Sequence, residues 1–414
     1  MDLSEKVLKN TRSAFIWTRI LSVPFWGLIN MLSIILYKDM HISPLQITAI
    51  LALKPMSAIF APYWSQFIYQ RPDRVLSNLV LSNILRYVPF LFLPWMESSW
   101  LIIAAFGFYM MLYRGAIPAW METFKCNLPE VARERVVSYG STIDYCGAAV
   151  LPLILGTFLD GYEYAWRWMF PITALLGLAS TWFLYRIPTM QAQKNAEMDA
   201  FEPGKILQEQ LINPWKQSWQ LLKERADFAH FQIGFMLGGA GLMVIQPALP
   251  IFFVDTLDLS YTKMLLAIGV CKGIGFALTS PVWTRLFRKW DIFYLSGIVT
   301  LLAALFPFFM ISAQYHIFLL YVAYGLYGMM QAGSELSWHM SGPVFSKEKD
   351  SSLFSGINVL TVGIRGCIAP FFGALLFSWT NSTTVMLLGS LLCLLAARQL
   401  MNYSSSFEKE SSVA

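Results

Sequence analysis

Charge is scarce in this sequence. Asp, Glu, Lys and Arg together make up 13% of its 414 residues, about half of what soluble domains carry. With so few ionised groups, a water-soluble globule of this length could not keep its surface wetted. Histidine is scarcer still: His41, His230, His316 and His339 stand far apart in the chain, and no Cys/His ligand cluster is present. The five cysteines, Cys126, Cys146, Cys271, Cys367 and Cys393, form no CxxC pair. Four of them sit inside apolar runs, as small packing residues do, so no disulfide framework, metal site or cofactor is expected. GxxxxGK[ST], HExxH and GxSxG are all missing. The chain therefore carries no ATP-driven motor and no recognisable hydrolase or protease centre, and is not expected to be an enzyme.

What fills the chain instead is apolar. Hydrophobic residues reach 56% and aromatics 15%, and the mean hydropathy is +0.53. Those values exclude intrinsic disorder and make lipid the solvent for most of the chain. Twelve continuous apolar runs, each near the ~20 residues that cross a bilayer, cover 14–37, 44–69, 75–95, 99–121, 136–159, 166–187, 227–254, 261–287, 292–312, 316–340, 353–377 and 383–401. The runs do not alternate polar with apolar, which excludes a β-barrel. The expected class is all-α integral membrane, with twelve transmembrane helices. Met1 to Thr11 is polar and no small-residue cleavage site follows the first run, so that run is expected to stay as a span.

The basic residues fix an orientation. With the N-terminus in the cytoplasm, 21 of the 30 Lys and Arg fall on inner segments and three on outer ones. That bias places both termini inside and favours an even number of spans. It also accounts for the net charge of +5 without a nucleic-acid partner, because the basic residues are dispersed rather than gathered into a patch.

The longest polar stretch, 188–226, reads as a cytoplasmic linker. Its second part, from Ile206 to Arg225, spaces Leu207, Leu211, Trp215, Trp219 and Leu222 at a near-helical interval, as an amphipathic helix on the inner membrane face would, with a break expected near Pro214. It divides the chain into 1–187 and 227–414, six spans each. The halves repeat one another. Ser43 matches Ser260 at an offset of 217, Lys54 matches Lys272 at 218, and Ala61-Pro-Tyr-Trp-Ser65 matches Ser280-Pro-Val-Trp-Thr284 at 219. Gly115, Trp120 and Pro152 match Gly333, Trp338 and Pro370 at 218. Ordered matches at a nearly constant offset argue for duplication.

Twelve spans, inner termini, a long central loop and two parallel halves resemble the major facilitator superfamily over essentially the whole chain. The loop after the second span keeps Asp73-Arg74 of the family's motif without its glycines; its counterpart runs from Arg285 to Asp291. Arg114 matches the family's fourth-helix arginine, and Gly147, Pro152 and Gly156 loosely match its fifth-helix motif. The resemblance implies two pseudo-symmetric six-helix bundles that rock about a midplane site, with Asp73, Arg74, Arg285 and Asp291 in gating loops. It implies a multi-pass protein, most simply of a bacterial inner membrane, acting as a monomer.

A charge at the bilayer centre costs at least ~2.5 kcal/mol, so each one needs a reason. The embedded basic residues are Arg19, Lys54, Arg86, Arg114, Lys272 and Arg365, against the acids Asp144 and Glu335, with Glu122 at an inner edge. The positive surplus calls for an anionic guest. Lys54 and Lys272 occupy corresponding midplane positions and suit an anionic substrate; alternatively each caps a carbonyl freed at the neighbouring Pro55 or Gly273. Arg19 either snorkels to headgroups or faces the cavity. Arg114 and Asp144 lie at similar depth and are expected to form a structural ion pair, with Asp144 a second candidate for proton coupling. Gln331, Glu335, Trp338 and His339 share one helical face. Arg365 is a further substrate-binding candidate, and Glu335 is the leading proton carrier, unless the two form a static bridge. Asn30, Tyr109, Tyr113, Gln246, Gln331 and Asn358 are polar groups that could line a substrate cavity or simply bond between helices.

The expected activity is secondary active transport of a small anionic or polar metabolite by alternating access, coupled to protons. Three readings compete: efflux of hydrophobic or cationic compounds, a membrane-bound lipid-modifying enzyme, and a sensor that binds without transporting.

Overall fold

The computed structural model describes residues 3–59, 74–188, 213–346 and 352–413. Every regular element among them is helical. The helices used below are α1 (Leu3–Asn30), α2 (Leu32–Met40), α3 (Pro44–Ile59), α4 (Val75–Leu85), α5 (Ser99–Asn127), α6 (Glu130–Gly161) and α7 (Ala165–Ala179). They continue with α8 (Asn213–Glu224), α9 (Ala226–Ile245), α10 (Lys272–Phe287), α11 (Ile292–Ser312), α12 (Phe318–Ser346), α13 (Ser352–Trp379) and α14 (Ser382–Val413).

Seven helices among the described residues are long and apolar enough to cross a membrane, or eight if α1 and α2, bent by 48° at Met31, form one span. Chain polarity and helix breaks account for much of the difference from twelve. α12 is 29 residues long but carries the polar run Gln331–His339 at mid-helix. The sixth expected span is interrupted at Ser180, and the second runs into residues 60–73, outside the described ones. Asp73 lies in that same stretch.

Local chemistry sets several helix ends. Asp291 caps α11, accepting hydrogen bonds from the amides of Phe293 and Tyr294 at 2.7 and 3.0 Å, and also holds the hydroxyl of Ser404 on α14. His41 ends α2 in a left-handed conformation, φ 47°. α8 is described from Asn213, and runs without interruption from there to Glu224; the part of the expected amphipathic helix before Asn213, and so its course into Pro214, lies outside the described residues. Two π-helical turns interrupt the α-geometry, Phe252–Thr256 and Leu266–Cys271.

The chain divides into two compact units. The first is Met1–Ala196 with Asp258–Val270; the second is Glu197–Leu257 with Cys271–Ala414. In the first, α1 packs on α6 and α7, and α5 on α3 and α4. Its centre is Phe25, ringed by Tyr87, Phe90, Tyr109 and Phe170 at 4.9–5.7 Å between ring centroids. In the second, α14 packs on α9 and α11, and α12 on α10 and α11, around Phe228, Phe231, Phe293 and Phe345. Buried aromatic clusters of this kind absorb much of the unusual aromatic content. The four described cysteines, Cys126, Cys271, Cys367 and Cys393, are free thiols.

Segment 258–270 joins the first unit through polar contacts. Asp160, one residue before the end of α6, accepts the amides of Tyr261 and Thr262 at 2.7 and 2.9 Å. The Tyr261 hydroxyl donates to Asp39 Oδ1 at 2.8 Å. Lys38 donates to the Leu259 carbonyl at 3.0 Å and lies over the Tyr261 ring. Partial burial works to raise the Asp160 pKa, but hydrogen bonds from Thr262, Tyr261 and Ser260 outweigh it and hold the carboxyl below the usual range.

Candidate functional site

Each unit gathers its own set of embedded charges. In the first, the spacing of Arg19, Trp26 and Asn30 places them on one side of α1. Lys54 on α3 reaches across and donates to Asn30 Oδ1 at 2.9 Å, while the Asn30 amide donates to the Trp26 carbonyl at 2.9 Å. Trp26 stacks on Tyr113 of α5 at 4.9 Å, and Tyr113 on Tyr109 at 6.0 Å. The row ends at Arg86, in the break that follows α4. Its guanidinium donates to Asn83 and to the Tyr87 hydroxyl and lies 5.8 Å from the Tyr113 ring centre. Lys54, Asn30 and Tyr113, picked out separately in the sequence, thus belong to one contiguous set. Trp26, which connects them, was not singled out.

Below this set, Arg19 Nη1 lies 2.8 Å from Asp144 Oδ2 on α6. That corrects the expected Arg114–Asp144 pair. Depth along a helix is readable from sequence, but rotation about its axis is not, and α1 rather than α5 presents the arginine to Asp144. Both partners are about one-third exposed. The Nε of Arg114 is buried without a hydrogen-bond partner.

In the second unit, α10 and α12 cross closely. A Cβ at Gly328 would lie 2.0 Å from the Lys272 carbonyl, so only glycine fits there. The crossing sets the Lys272 ammonium 5.9 Å from the centre of the Tyr327 ring and within the field of Glu335. Arg365 on α13 donates from Nη1 to the Phe235 carbonyl of α9 at 2.8 Å, and its guanidinium lies 5.5 Å from the Phe235 ring centre. It lies across Gly239, and its electrostatic neighbours include Tyr327. Gln331 donates to Glu335 Oε1 at 3.2 Å. Lys272 therefore lies between Tyr327 and the field of Glu335, Gln331 holds Glu335, and Arg365 lies in the field of Tyr327. The sequence offered a signal for that tyrosine: Tyr327, Gln331 and Glu335 follow at four-residue steps along α12.

The static Glu335–Arg365 bridge is not formed; Arg365 is held by a carbonyl instead. Among the described residues, Arg86, Lys272 and Arg365 have no carboxylate in ion-pair contact and meet amides, carbonyls, phenols or rings.

Other expected site residues stand apart. Asn358 is 1% exposed and corrects to an interhelical role: it accepts from Gln232 and donates to Ser341, tying α13 to α9 and α12. Gln246 ends α9, about two turns beyond Gly239. Asp291 is a helix cap, Arg285 is exposed near the end of α10, and Arg74 is exposed at the start of α4. His339 is exposed and contacts the Glu335 carbonyl. No group of three or more His, Cys, Asp and Glu that could hold a metal occurs among the described residues.

The fold has many solved counterparts. A bacterial homolog of the human lysosomal transporter Spinster aligns with TM-score 0.69 and 13% identity over 97% of this chain and 98% of that one. The nucleoside transporter NupG, as its D323A mutant, aligns at 0.72 and 13% over 95% and 99%. A POT family transporter in complex with a thioalcohol-conjugated peptide aligns at 0.72 and 14% over 96% of each chain. No curated protein sequence matches significantly. The family model of the Major Facilitator Superfamily matches residues 15–342. This chain, a multi-pass membrane transporter and not an enzyme, belongs to the major facilitator superfamily.

Proposed function

We propose that the protein moves a small anionic or polar metabolite by alternating access, coupled to protons. The observation that carries this reading is the cluster around Tyr327. Lys272 and Arg365 approach one phenol from two helices, and neither meets a carboxylate in ion-pair contact among the described residues. Membrane-embedded cations without a carboxylate in ion-pair contact remain costly, and a negatively charged ligand lowers that cost. Lys54, held by Asn30 beside the Trp26–Tyr113 stack, supplies a further cation in the first unit. Glu335, which accepts from Gln331 on the same helix, is the proton carrier of this reading.

The test is a thermal-shift screen of the purified protein against anionic and neutral metabolites, followed by uptake into proteoliposomes. An anion at 100 times its Kd should stabilise the folded state by about 2.7 kcal/mol. Lys272→Ala and Lys54→Ala should each raise the substrate constant about tenfold or more while leaving the ligand-free melting temperature near wild type, since each removes a charge-assisted contact worth about 1.5–3 kcal/mol. Stabilisation by neutral compounds alone would refute the anion reading, as would wild-type transport by both variants. Glu335→Gln should abolish accumulation driven by a pH gradient and retain counterflow exchange. Gradient-driven accumulation by that variant removes Glu335 from the proton path.

A further inference from the structure

A groove of about 530 Å³ opens on the second unit where α9 and α14 run side by side, lined by His230, Leu395, Arg398, Gln399, Asn402 and Tyr403. We infer that this groove binds the headgroup of an anionic phospholipid, a role separate from the transport site.

Three observations support the assignment. Among the described residues the lining holds a guanidinium, an imidazole, two amides and a phenol, and no carboxylate, so its charge matches a phosphodiester. The wall is also built before a ligand arrives. The His230 ring stacks on Tyr403 at 4.5 Å, and Gln399 Nε2 donates to the His230 carbonyl at 3.0 Å. His230 lies one turn inside the start of α9, and Arg398 lies near the end of the apolar stretch of α14, Ser382–Ser404. That is the depth at which headgroups meet spanning helices.

The third observation is the surface beside the groove. Leu395, Leu391 and Leu388 precede Arg398 at steps of three, four and three residues, which is one face of a helix. They are 46%, 51% and 36% exposed. At 1.5 Å per residue this leucine stripe extends about 15 Å from the arginine, the depth of one leaflet of a ~30 Å hydrocarbon core. A groove with a guanidinium in its wall, continuous with an apolar track one leaflet long, fits a molecule with a phosphate at one end and an acyl chain at the other. A free anion would use only the groove.

The experiment is native mass spectrometry of the delipidated, detergent-purified protein titrated with phosphatidylglycerol, phosphatidylcholine or inorganic phosphate. Wild type should retain one phosphatidylglycerol more strongly than phosphatidylcholine, and a large excess of inorganic phosphate should not displace it. Arg398→Gln should weaken phosphatidylglycerol retention about fivefold and leave phosphatidylcholine retention and the lipid-free melting temperature unchanged. Leu391→Asn should weaken both lipids. Equal retention of the two lipids by wild type overturns the proposal, and so does wild-type phosphatidylglycerol binding by Arg398→Gln. Displacement by phosphate at comparable concentration would make the groove a free-anion site and overturns it equally.

Discussion

Gly239→Ala should disable Arg365 without touching any charged residue. An ideal Cβ at position 239 would lie 1.8 Å from Arg365 Nη1 and 2.1 Å from Cζ. The guanidinium is the far end of a flexible side chain, so it yields and the helix stays. The displacement breaks the 2.8 Å hydrogen bond to the Phe235 carbonyl and the contact with the Phe235 ring. The first loss is worth about 1.5–3 kcal/mol and the second about 0.5–1 kcal/mol. Alanine returns about 1 kcal/mol through better helix propensity. The net effect on stability is therefore a decrease of about 1–3 kcal/mol. If Arg365 binds the transported anion, the substrate constant rises about tenfold or more, since every 1.4 kcal/mol is a factor of ten. The assay pairs anion-induced thermal shift with uptake kinetics. Gly273→Ala is the control, because nothing lies within 4 Å of a Cβ there. A Gly239→Ala protein with wild-type affinity would refute the role given to Arg365. Equal losses in both variants would show that the effect is not specific to its guanidinium.

Two further outcomes follow from polar contacts in the first unit. Asp144→Asn should lower the melting temperature, and Arg114→Gln should lower it less. A double-mutant cycle between Arg19 and Asp144 should return a coupling of about 1 kcal/mol, modest because both groups are about one-third exposed; no coupling there would deny the pair an energetic role. Asp160 titrates below the usual carboxylate range, so its contribution is present above that range and is lost as pH falls through the lowered value. Hydrogen exchange at the Tyr261 and Thr262 amides should quicken, relative to intrinsic rates, on acidification or in Asp160→Ala. Unchanged protection in the variant would show that the carboxylate does not hold segment 258–270.

Composition alone made the helical membrane class legible, because 13% charge leaves no alternative solvent. The site was legible in pieces. Residues recurring at helical steps, as Gln331 and Glu335 do, could be placed on one face of α12. Lys272 and Arg365 could be recognised as misfits in apolar runs. Which misfit meets which partner depends on how each helix is turned about its axis, and that is fixed by packing between helices. Asp144 therefore took Arg19 instead of Arg114, and Asn358 turned into the bundle to meet Gln232. Tyr327 and Phe235 escaped notice because an aromatic in an aromatic-rich chain does not stand out; for Tyr327 the four-residue steps to Gln331 and Glu335 were the available mark, and for Phe235 only the cation beside it.

The wide turn at Leu266–Cys271 gives the helix that carries Lys272 one spare residue. Counting from the first half, the register slips from 217 at Ser260 to 218 at Lys272, and the turn lies in that interval, while α3, its counterpart, is α-helical throughout. A π-turn accommodates an inserted residue by bulging, so the chain beyond it keeps its rotational phase. Removing Val270 should therefore let the bulge collapse into ordinary helix and leave Lys272 facing Tyr327, with folding and uptake retained. Removing Leu278, inside the regular α-helix of α10, should swing everything beyond it by about 100° and leave no transport at all.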